Sequence, residues 1–156
     1  MEQFRYNRIT SLVNKIAAAV HAKGKKVSAA VFPGPDSYAK KLVRQEWNKW
    51  DIDAFFPMNY NDFYLEPASW VGEITKEEVT SVNGKKPVYS GLFICRDWQN
   101  KANIKDPEGH GLIPSEIGEA VRGSIEAGAA GVALFIPANM TDEHWAEFDK
   151  AIQVKP

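Results

Sequence analysis

Apolar residues recur along this chain in two rhythms, a stripe at every third or fourth residue and short unbroken runs between the stripes. Over residues 5–22, Ile9, Leu12, Val13, Ile16, Ala17 and Val20 keep a period near 3.6, which predicts an amphipathic helix. Gly24 ends it, with Lys23, Lys25 and Lys26 where cations suit a helix carboxyl end. Residues 27–32 are an apolar run closed by Pro33-Gly34-Pro35, hence a strand. Ser37 is placed to cap a helix reaching about residue 50, with Leu42, Val43 and Trp47 turned inward. Residues 52–56 read as a second strand, and Pro57, which has no N–H to give a ladder, stops it.

Residues 67–82 read as helical, with Trp70, Val71 and Ile74 on one face; the capping-box spacing of Thr75 and Glu78 predicts a break there. Asn83-Gly84 is a turn signal, and residues 88–94 are a third strand. Residues 96–111 are polar and longer than an ordinary strand-to-helix loop, which marks them for function. Ser115 is placed to cap a helix to residue 127, closed by Gly128. Residues 131–136 are a fourth strand stopped by Pro137, and Thr141 caps a last helix through about Val154, with Trp145, Phe148 and Ile152 inward.

Strands separated by whole helices are not hairpins, so the order α-β-α-β-α-β-α-β-α implies an all-parallel α/β sheet within one domain, residues 1–156. The strand sequences are apolar on both faces, as parallel sheets covered on both sides are. Two architectures do this: an open sheet with helices on both faces, and a barrel whose inner side chains pack on one another. Four βα units are half of an eight-fold barrel. Standing alone, such a half leaves large inner residues wet, at about 1.5–3 kcal/mol each, and two bare strand edges. It therefore needs a partner, a rearranged helix, or a second copy of itself in a homodimer.

Composition narrows the function classes. Hydrophobic residues at 44% and charged residues at 25% are ordinary for a globular domain. Nineteen basic against twenty acidic residues, with no basic stripe, exclude a nucleic-acid partner. No run approaches the length of a membrane span, and the first residues have no apolar core of an export signal. Cys95 alone forms no internal disulfide. Three scattered histidines make no metal cluster, and neither a phosphate-binding glycine motif nor a G-x-S-x-G elbow occurs. No cofactor or metal is expected. Asp51 and Asp53 precede their strand, which argues against a phosphoacceptor role.

The candidate chemistry follows strand ends. After the hard stop at Pro57 come Asn59, Tyr60, Asn61 and Asp62, hydrogen-bonding and stacking groups at the position where α/β folds hold ligands. Asp36 follows the first strand, and Arg96-Asp97-Trp98 follows the third. Arg96 keeps Asp97 ionised, and Trp98 offers a ring for stacking. The tryptophans at helical spacings, Trp47, Trp50, Trp70 and Trp145, read as core. His21 reads as solvated, and His110, flanked by glycines, as a surface histidine or an acid–base group.

The segments Lys26-Val-Ser-Ala-Ala-Val-Phe-Pro-Gly-Pro35, Gln45-Glu-Trp-Asn-Lys-Trp-Asp51 and Asp53-Ala-Phe-Phe-Pro-Met-Asn-Tyr60 resemble the second half of a bacterial glycosyl-hydrolase-like (β/α)8 family, distantly related to family-10 xylanases. Ala129-Ala-Gly-Val-Ala-Leu-Phe135 and Thr141-Asp-Glu-His-Trp145 resemble its closing strand and helix. The resemblance implies strands 5 to 8 of such a barrel, a carbohydrate ligand and an exported parent protein. It further implies hydrolysis of glycosidic bonds by two carboxyl groups, one protonating the leaving oxygen and one acting as nucleophile or base. One of those follows strand 4 in the wider clan and would be missing here; the other follows strand 7, where this sequence has Asp97 and the clan has Glu. The implied roles are Asp97 in catalysis and Asn59, Tyr60, Asp62, Trp98 and Asp36 in substrate binding, with the isolated half inactive. A non-catalytic carbohydrate-binding or assembly module is the alternative.

Overall fold

A computed structural model describes residues 2–153. Nine elements follow in the expected order: α1 (Glu2–His21), β1 (Ser28–Val31), α2 (Ala39–Val43), β2 (Ala54–Pro57), α3 (Trp70–Ser81), β3 (Tyr89–Phe93), α4 (Pro114–Glu126), β4 (Gly131–Phe135) and α5 (Asp142–Ile152). The end expected for the last helix near Val154 lies outside the described residues.

All four strands are parallel. Ser28 pairs with Ala54 and Val31 with Pro57, while Tyr89 pairs with Gly131 and Phe93 with Phe135. The bridges Phe55–Val88 and Met58–Gly91 join the two pairs, so the strands run β1-β2-β3-β4 in sequence order. At Gly91 an added Cβ would strike the Pro57 carbonyl, so only glycine lets β2 and β3 approach this closely.

One face of this sheet carries the core. Val31, Phe55, Val88, Leu92 and Ile94 are buried, packed with Ala17, Trp47, Val71, Ile74, Ile117 and Val121 from the helical side. The alternate residues, Ala30, Phe56, Met58, Tyr60, Gly91, Ala133 and Phe135, line an open cavity of about 270 Å³ on the other face. Phe135 is 57% exposed. Strand order and one-sided helices decide between the two expected architectures: this is half of a (β/α)8 arrangement, preceded by one helix.

Several local expectations change. The helix expected over 37–50 is two pieces, because Arg44 turns the chain at φ 63° and a 3-10 turn, Trp47–Lys49, follows. Tyr38, not Ser37, is its N-cap residue and gives no side-chain cap. No break occurs at Thr75; its hydroxyl is buried and donates back to the Val71 carbonyl at 2.6 Å, inside a continuous α3. Ser115 does not cap α4. Ile113 is the N-cap residue, Pro114 fills the first position, where a missing N–H costs nothing, and Glu116 accepts from the Ile113 N–H. Thr141 caps α5 as expected, accepting from His144 N. Leu12, Ile16, Leu42, Trp145 and Ile152, expected inward, are exposed.

Candidate functional site

The carboxyl ends of the strands form one rim, and side-chain alternation sorts its residues by face. Asn59 turns to the helical side. Its amide nitrogen lies 3.0 Å from Glu78 Oε2, 3.0 Å from Ser90 Oγ and 3.2 Å from Thr75 Oγ1, all buried. Glu78 is fully buried and also accepts from the Gly34 N–H. Burial pushes its carboxyl up to about 8, outweighing the hydrogen bonds from Asn59 and Gly34. Beside it Glu77 accepts from the Asp36 and Ser37 N–H groups, so α3 holds the loop after β1.

Tyr60 takes the open face. Its ring meets Phe93 at 5.3 Å, Phe63 at 6.2 Å and Phe135, nearly parallel, at 6.3 Å. Burial raises its hydroxyl above the usual phenol range.

Asp62 is 1% exposed. Lys101 donates to its Oδ1 at 2.7 Å and the Gly111 N–H to its Oδ2 at 2.7 Å. The same Lys101 donates to Glu116 Oε2 at 2.8 Å. Burial raises the Asp62 carboxyl, against the hydrogen bond and charge of Lys101. This knot fastens the segment 96–111 to the end of β2 and the start of α4.

Asp97 stands at the other end of that segment, in a different setting. The Cys95 thiol donates to its Oδ1 at 2.7 Å, and His110 Nδ1 meets its Oδ2 at 2.9 Å. Its side chain is 47% exposed. The Cys95 hydrogen bond, then that of His110, holds the carboxyl below its usual range. His110 is held above its usual value: burial opposes its charge, but the Asp97 hydrogen bond and the charges of Asp106, Asp97 and Glu108 outweigh it.

The other expected residues sit apart. Trp98 is half-buried, edge-on to the His144 ring at 5.0 Å, while His144 itself is buried and bonded to the Leu112 carbonyl. Asp36 is exposed on its loop. His21, expected solvated, bonds Asp53 at 2.9 Å. Of the six residues singled out in the sequence, Tyr60 and Asp97 share the open rim, whereas Asn59 and Asp62 are spent inside the fold. Sequence reasoning missed Glu78, Lys101 and Glu116. Glu78 had a signal, for it continues the apolar stripe of Val71 and Ile74. Lys101, far along the chain from Asp62, had none.

The strand order and the one-sided helices define the class: half of a parallel (β/α)8 barrel. No protein-family model matches the chain, and no curated protein is similar to it in sequence. Among solved structures it is similar to a chitinase from Chromobacterium violaceum ATCC 12472, at TM-score 0.65 and 15% identity, over 98% of this chain and 63% of that one. The chain thus spans less than two thirds of that chitinase. A dihydrodipicolinate synthase from Bacillus clausii matches at TM-score 0.44 and 19% identity over 88% of this chain and 43% of that one, too low to carry an argument. At these identities the likeness shows the fold alone.

Proposed function

We propose that this chain is strands 5 to 8 of a glycoside-hydrolase-like barrel that takes a carbohydrate at its strands' carboxyl ends. The observation that carries this reading is Asp97, a carboxyl kept ionised and oriented by Cys95 and His110 yet half-open to solvent, on the strand-end rim that also carries the aromatic group of Tyr60, Phe63, Phe93 and Phe135. An ionised, fixed carboxylate suits the nucleophile or charge-stabilising role in glycosidic cleavage, and aromatic rings suit the apolar faces of sugars. The chitinase likeness supports the fold on which that chemistry sits.

Hydrolysis also needs an acid to protonate the leaving oxygen. Asp62, the other rim carboxyl singled out in the sequence, is occupied by Lys101, and the further acids of the loop, Asp106 and Glu108, are turned on His110. The expected result with aryl-glycoside and polysaccharide panels is no turnover; robust turnover abolished by Asp97→Ala would overturn it. The same occupied Asp62 favours, as a second reading, a chain that binds sugar without cleaving it. Sugar-dependent quenching of tryptophan fluorescence is the expected signal there. Quenching that survives both Tyr60→Ala and Trp98→Ala removes the proposed site.

A further inference from the structure

From α3, Glu78 reaches two rim loops at once. Its Oε1 accepts from the Gly34 N–H at 3.1 Å, in the loop after β1, and its Oε2 lies 3.0 Å from Asn59 Nδ2, just past the end of β2. Both side chains are buried. Asn59 Nδ2 has two hydrogens but three oxygens within reach, Glu78 Oε2, Ser90 Oγ and Thr75 Oγ1. The single Thr75 hydroxyl hydrogen goes to the Val71 carbonyl at 2.6 Å. Ser90 is therefore left to donate to Thr75 Oγ1, 3.1 Å away, and Asn59 to donate to Ser90 and Glu78. That pattern holds on one condition: Oε2 must accept, so Glu78 must be ionised.

A neutral Glu78 breaks it. A carboxyl hydrogen on Oε2 meets the Asn59 amide donor against donor, and one on Oε1 meets the Gly34 N–H the same way. Turning the amide end for end removes the conflict, because Asn59 Oδ1 then has one lone pair for Glu78 and one for the Ser90 hydroxyl. The two ends of an amide are nearly equal in size, so the turn needs no new space. Nothing anchors the present orientation from the other side, where Oδ1 is buried without a partner among the described residues. We infer that Glu78 and Asn59 form a proton-driven latch between the loops after β1 and β2. Ionised, Glu78 takes a hydrogen bond from Asn59 Nδ2; neutral, with a proton gained from solvent, it gives one to Asn59 Oδ1 and the amide has turned. Two other titratable groups face it. Glu77, next to it on α3, disfavours its charge, and Tyr64, on the 3-10 turn Asn61–Tyr64, stays neutral with its hydroxyl pushed up to about 12. The latch therefore turns over near pH 8, where burial places the Glu78 carboxyl.

An NMR titration of the full chain tests this. Well above the midpoint, at about pH 9.5, the Asn59 side-chain amide protons are expected to show strong Overhauser contacts to the Ser90 and Thr75 side chains. Well below it, at about pH 6, those contacts fall several-fold, with one midpoint near 8 shared by the Glu78 carboxyl carbon and the Gly34 amide. In Glu78→Gln the new amide donates to Asn59 Oδ1 at every pH, so the contacts are weak at both ends of the range. Contacts that stay strong at the acid end while the Glu78 carbon titrates overturn the inference. So does a Glu78 carbon that does not titrate across the range, or a Glu78→Gln variant whose contacts follow pH as the parent's do. The parent's own titration decides the matter if the variant fails to fold.

Discussion

Asp62 and Asp97 are the same residue type on the same rim, tied to the two ends of one sixteen-residue segment, 96–111, yet they do opposite things. Asp62 is sealed with Lys101 and Glu116, which have side-chain exposures of 3% and 7%. Asp97 lies in the open between a thiol and an imidazole. A carboxylate whose oxygens are filled by an ammonium and a backbone N–H is an anchor; one that is held but still reachable is available for chemistry. The buried knot fixes the segment, and the open pair is what the segment presents.

The sharpest way to break this contrast is to remove the shared cation. Lys101→Met leaves Asp62 and Glu116 facing each other in a dry site, and removing one partner of a buried ionic group costs about 3–5 kcal/mol. Urea denaturation is expected to show a loss of that size. A loss within the range of a surface pair, about 0–1 kcal/mol, would mean that the knot is solvated and Asp62 is free to act.

The second test concerns Glu78, the other acid sealed behind the rim. Its folded pKa, about 8, lies above the ordinary value near 4.3, so the native state keeps a proton that the unfolded chain releases. Stability is then full below about pH 4.3 and falls as pH rises towards 8, by on the order of 3–5 kcal/mol. Glu78→Gln removes this dependence and sacrifices one acceptor, at about 1 kcal/mol. The variant is expected to be weaker in acid and stronger at pH 8 than the parent. Parallel stability-against-pH curves would show that Glu78 is charged in the fold.

How much of this was legible in the sequence depends on the range of the physics involved. The end of β4 was readable because Pro137 acts locally, and Thr141 caps its helix through a neighbour three residues on. Pro57, however, does not stop β2: it pairs with Val31, and Met58 beyond it donates to the Val31 carbonyl and bridges to Gly91. The half barrel was readable as one of two options, since apolar strands state only that both faces want cover. Helix faces were half readable: Ala17 is buried while Leu12 and Ile16, on the same expected stripe, are exposed. Trp70 and Trp47 were placed in the core and are buried there, but Trp145, read the same way, is exposed. The fate of each rim carboxylate was not readable. It turns on Lys101 reaching back to Asp62 and on His110 folding over Asp97, contacts made by a loop without periodicity.

The smallest expected effect tests the open end of the segment. Asp97 titrates below its usual range, so its contribution is present above about pH 3.9 and is lost as pH falls through its folded value. His110 titrates above its usual value, so its contribution is full below about pH 6.5 and is lost as pH rises through its folded value. The pair is therefore strongest between about pH 4 and 6.5. Because Asp97 is half exposed, Asp97→Asn should scarcely move the unfolding midpoint, in contrast with Lys101→Met. Its effect should be local: in an NMR titration the His110 ring, raised in the parent, drops towards the free-histidine value in Asp97→Asn. Asp106 and Glu108, 3.6 Å and 3.3 Å from His110 Nε2, keep that drop partial. A His110 titration indifferent to Asp97→Asn would mean that those two acids hold the imidazole, and that the Cys95 thiol is what fixes Asp97.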